Sequence, residues 1–166
     1  MLAFIIAAVK VLHAFTGIWF VAGVVGRGLT QVRAERTSDI GVVKAMVELI
    51  GRFDSLMVIP GSMAVLALGV VAAWIEGEPL FGFIQGARSN WLLVALILFL
   101  TIVALVPTVF IPRGKGFGAA LDEAVAVGRV TDRLSAAFRD PMVRAAHVWE
   151  LIALTLIVWL MIAKPF

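Results

Sequence analysis

From Leu2 to Val25 the chain runs apolar, and ionisable groups interrupt it only at Lys10 and His13. About 20 apolar residues of helix cross a hydrocarbon core of roughly 30 Å. A run of that length reads as a membrane span, not as a buried core helix. Three further apolar stretches follow, over about 56–75, 91–112 and 142–163. The expected fold is therefore all-α, a bundle of four transmembrane helices with spans near 2–26, 56–75, 91–112 and 142–163. A single membrane domain over 1–166 accounts for the whole sequence.

Composition narrows the function classes. The sequence is 62% hydrophobic and 15% charged, where a soluble domain carries about 25% charged residues. The net charge of +3 does not indicate nucleic acid, because the basic residues cluster beside apolar spans; the lipid bilayer is the expected partner. Cysteine and tyrosine are absent. Disulfides, thiolate catalysis and Cys-ligated metals are thereby excluded. Gly-rich phosphate loops, HExxH and Ser/His/Asp constellations are also missing, which leaves hydrolase and nucleotide-binding readings without support. The extreme N-terminus has no basic region and Lys10 breaks the apolar stretch, so the first span is expected to be retained.

The connections carry the orientation signal. The first holds Arg27, Arg33, Arg36, Lys44 and Arg52; the third holds Arg113, Lys115, Arg129, Arg133 and Arg139; the second holds only Arg88. The first and third connections are expected in the cytoplasm and both termini outside. Two cytoplasmic amphipathic helical segments are expected within them. Ile40–Phe53, after N-cap candidates Thr37-Ser38-Asp39, either lies at the interface or extends the second span inward. Phe117–Phe138 is the other, following an end to the third span at Arg113-Gly114-Lys115-Gly116. Pro60-Gly61 should kink the second span or mark its start, and Asp140-Pro141 should open the fourth.

Within the first span, His13 shares a helix face with Lys10, Gly17, Phe20 and Val24, while Trp19, Gly23 and Gly26 share another. An ionisable residue inside a span faces the bundle interior as a rule. Here either a helix–helix hydrogen bond or a cofactor would employ His13. On the fourth span, Arg144, His147 and Glu150 cover one face, and Glu150 can orient the imidazole. The cluster is either a functional site or a solvated polar patch paired with charges of the first connection. Asp54 can cap a helix, pair with an arginine of the third connection or move a proton. Bis-histidine heme ligation by His13 and His147 is disfavoured by depth: from the basic boundary at Arg27 and Arg144, His13 lies roughly 20 Å in and His147 about 5 Å. Either histidine remains available to heme through another second ligand.

Three pieces, KVLHAFTGIWFVAG in the first span, FDSLMVIPG before the second and MIAKP at the end of the last, resemble a bacterial family of predicted four-span integral membrane proteins of unknown function. The first span also resembles the opening helix of copper-resistance D membrane proteins and of the bacterial membrane protoporphyrinogen oxidase. That resemblance implies a heme b ligand at His13, with Trp19 and Gly23 beside it; His147 is the other cofactor candidate. The favoured reading is a non-catalytic accessory or structural subunit of the bacterial cytoplasmic (inner) membrane. It would pack against a membrane-protein partner or as a homo-oligomer. A b-type heme redox component using His13 is the alternative.

Overall fold

The computed structural model describes Met1–Phe166, apart from the side chain of Leu2. Helix α1 spans Leu2–Glu35 and α2 spans Ile40–Phe53. A π-helical turn, Asp54–Val58, joins α2 directly to α3, Ile59–Glu76. A short 3-10 turn at Gly82–Gln85 precedes α4, Trp91–Leu105. A second π turn, Val106–Phe110, joins α4 to α5, Ile111–Val127. Helices α6, Asp132–Phe138, and α7, Pro141–Ala163, complete the chain. Four helical runs are long and apolar enough to cross a membrane.

Both π turns have the same local cause. Each directly precedes an Ile-Pro pair, Ile59-Pro60 and Ile111-Pro112. A proline lacks the N–H for the i→i−4 bond and its ring crowds the carbonyl four residues back. Widening the turn relieves that crowding: the N–H of Ile59 bonds the carbonyl of Asp54, and that of Ile111 the carbonyl of Val106. The helices therefore continue through their prolines.

Several boundaries expected from sequence move. Arg27 begins no loop, because α1 continues to Glu35. The Ile40–Phe53 segment continues directly into the second apolar helix, with Asp39 as its N-cap, accepting from Gly41 N and Val42 N. The Arg113–Gly116 stretch does not end a helix; α5 runs through it, and Gly128 in the left-handed conformation (φ 75°) stops it instead. Asp140 opens α7 as expected, accepting from the N–H groups of Met142 and Val143. At 34 residues, α1 is about 50 Å long, well past a hydrocarbon thickness of roughly 30 Å.

Besides a small cluster of Trp91, Ala95 and Leu160, packing builds two larger apolar cores. One joins Phe20 and Val24 of α1, Phe99 and Ile102 of α4, and Ala153 and Leu154 of α7. The other, toward the end rich in Arg and Lys, joins Ala34, Val43, Ala120, Ala124, Leu134 and Phe138. Along α1 and the successive α2–α3 and α6–α7 stretches, the polar residues described next fall between the two.

Candidate functional site

The layer between the cores is centred on Arg27. Its position on α1, three residues after core residue Val24, turns it inward; it is 7% exposed. One guanidinium nitrogen donates to Asp54 Oδ1 at 2.9 Å and the other to Glu150 Oε2 at 2.5 Å. Asp54 is the first residue of the first π turn, and Glu150 sits one turn before Ala153 and Leu154 on α7. Arg27 thus ties three separate helical runs together. Arg27 Nε is buried and has no hydrogen-bond partner. The remaining run, Trp91–Val127, supplies Phe110, whose ring centroid is 5.4 Å from the guanidinium carbon.

His147 joins the cluster one turn before Glu150. Its Nδ1 lies 3.5 Å from both Glu150 Oε2 and Arg27 Nη2. Since Nη2 is itself a donor, Glu150 is the partner an Nδ1–H can serve. The His147 ring stacks on Phe110, centroids 5.0 Å apart. The pairing of His147 with Glu150 was legible from their i, i+3 spacing; the arrival of Arg27 and Asp54 was not. Arg144, on the same face, turns away to pair with Glu35 of α1 at 2.6 Å.

Beside the cluster, toward the basic end, lies a cavity of about 550 Å³. Arg27, Asp54 and His147 line its floor, Phe110, Phe117 and Phe138 its apolar walls, and Arg113 and Asp140 a further edge. Arg113 and Asp140 bond each other at 2.7 Å. Gly51, Gly114 and Gly116 also line it, and a Cβ at any of the three would meet nothing within 4 Å. Glu150 does not line the cavity. Among the described residues, no three His or carboxylate side chains are grouped to hold a metal ion.

His13, Trp19 and Gly23 lie elsewhere, on the α1–α3 seam. His13 Nδ1 donates to the carbonyl of Val65 at 2.9 Å. The ring presses on α3 where Gly69 offers no side chain; a Cβ there would stand 2.9 Å from His13 Cε1. Trp19 Nε1 donates to the carbonyl of Leu56 at 3.1 Å. That carbonyl sits four residues before Pro60, which has no N–H to offer it. A Cβ on Gly23 would lie 2.6 Å from Met57 Cβ, and one on Gly26 2.8 Å from the Phe53 ring. These residues fasten α1 to its neighbour at van der Waals contact and leave no gap for a flat macrocycle at Gly23. They do not fit a heme held between Trp19 and Gly23. Thr101 and Thr155, which lie near the level of His13 by helical rise, are engaged elsewhere: Thr101 accepts from Trp149 Nε1 at 3.0 Å, and Thr155 donates to Leu151 O.

A family model described as predicted integral membrane protein (DUF2269) matches residues 7–165. The chain belongs to that family. The DUF2269 match runs through all four long apolar helices and takes in Arg27, Asp54, His147 and Glu150. Membership makes the protein a predicted integral membrane protein of unknown function, with lipid around it. No curated protein and no solved structure matches the chain.

Proposed function

We propose that this DUF2269 protein is a non-catalytic accessory or structural subunit, one membrane domain that works by packing against another membrane protein. The supporting observation is the uneven burial of its spans. In the most apolar window of α1 only 6% of residues are buried, against 33% for the third long helix and 28% for the fourth. Helix α1 leans on α2 and α3 along one side, and its other side presents Val11, Phe15 and Ile18, each at least 60% exposed. Phe15 stacks on Trp19, so this side is a stiff aromatic-aliphatic ridge suited to a partner helix. Photo-crosslinking from a benzoyl-phenylalanine at position 15, in native membranes, is the test. A discrete protein adduct, with a partner or a second copy, is expected; adducts with lipid alone overturn the reading. A Soret band in the purified protein would overturn it in favour of heme.

The proposal places the protein in a bacterial inner membrane with the basic end in the cytoplasm and Gly77–Arg88 outside, following the distribution of arginine and lysine. Lys10 supports this level for the far interface. It pairs with Glu76 at the end of α3, carrying its charge out of the apolar layer.

A further inference from the structure

We propose that the His147–Glu150 pair is a proton-binding site, loaded from the basic-end cavity, which carries its proton on the His147 imidazole. Charge counting is the first observation. Arg27 brings one positive charge to a layer where Asp54 and Glu150 bring two negative ones. Glu150 is 3% exposed and lies between two apolar cores, while the Asp54 side chain, 35% exposed, borders the cavity. An uncompensated charge in such a place is strongly unfavourable, and one bound proton makes the set neutral.

The surroundings say where that proton resides. Phe110 presents its face to the His147 ring and to the Arg27 guanidinium alike, and an aromatic face favours a cation above it. Of the other charges nearby, Arg113 of α5 holds Asp140 at the start of α7, and Glu35 of α1 is shared by Arg139 and Arg144. Among the described residues, no lysine or arginine other than Arg27 and Arg113 lines the cavity. Access is one-sided. His147 lines the cavity and Glu150 does not, so a proton reaches Glu150 through the imidazole.

A small metal cation would supply the same charge, and the experiment separates the two. Thermal unfolding of the full chain in nanodiscs is followed from mildly acidic to alkaline pH, at constant ionic strength, with and without Na⁺. The wild type is expected to lose about 2–4 °C of Tm as pH rises and the proton leaves. His147→Gln should flatten that profile, and His13→Gln should keep it. A profile retained in His147→Gln, or lost in His13→Gln, overturns the proposal, as does a Tm raised by Na⁺ at fixed pH. Should His147→Gln fail to fold, ¹³C-histidine NMR of the His13→Gln protein gives the answer on the native cluster: a remaining imidazole that becomes charged on acidification supports the site, and one that stays neutral throughout overturns it.

Discussion

Helix α1 is held in two different ways along its length. Between His13 and Gly26 its neighbours approach to contact across glycines, and the polar groups there make single, neutral hydrogen bonds to backbone carbonyls. From Arg27 onward the fastenings are ionic, with Arg27 shared between two carboxylates and Glu35 between two arginines. The first mode depends on shape and the second on charge balance. Neutral seams are forgiving of loss and intolerant of added volume. The charged layer behaves the opposite way, because removal of one partner strands another inside the bundle.

The largest effect should come from Arg27→Met. Near-equal volume keeps the packing, while Glu150 and Asp54 lose their common partner, a loss of about 3–5 kcal/mol. Reversible unfolding in mixed micelles measures it, and adding Glu150→Gln should return part of the loss because the stranded charge is gone. If the double variant is no better than the single one, the layer is held by shape after all. Next comes Gly23→Leu, expected to destabilise by about 1–3 kcal/mol through overpacking against Met57 and Val58. Gly116→Ala sharpens the contrast: the site is open, so the exchange should gain about 0.5–1 kcal/mol from helix propensity. Equal losses at both glycines would erase the distinction between seam and cavity. The most local effect belongs to Trp19→Phe, which removes one donor from the Leu56 carbonyl for about 0.5–1.5 kcal/mol. A hydrogen-exchange comparison of the Leu56–Gly61 backbone should show local loosening there and nowhere else.

The four apolar helices were legible because membrane length and hydropathy act on a continuous stretch and need no tertiary information. So was the inward orientation of His13, since a polar group within a span needs a protein partner. The charged layer was hidden for a physical reason. Arg27 reads as the first basic residue of a connection, where positive charge ordinarily marks the end of a span. Asp54 reads as a cap. Only the extension of α1 to Glu35 and the continuation of α2 into α3 bring the two to one level with Glu150. The second of these depends on how the chain treats proline. Pro60 suggests a break in the sequence, yet a single widened turn absorbs it, as another does ahead of Pro112. Val24, three residues before Arg27 and buried at 4%, is the one local hint that Arg27 points inward.

The widened turns have a consequence for phase. One residue more than an α-helical turn advances everything beyond it by about 100° around the axis. The two ends of each 37-residue run are therefore out of step with one another, like two gears keyed to one shaft at different angles. Above the turn, the run obeys the angular demands of lipid and the seam with α1. Below it, the same helix meets the second core from a different side. Asp54 stands at the key itself. Any change that restored a regular α-helical turn there would rotate Asp54 relative to Arg27, leaving every residue in place except in angle.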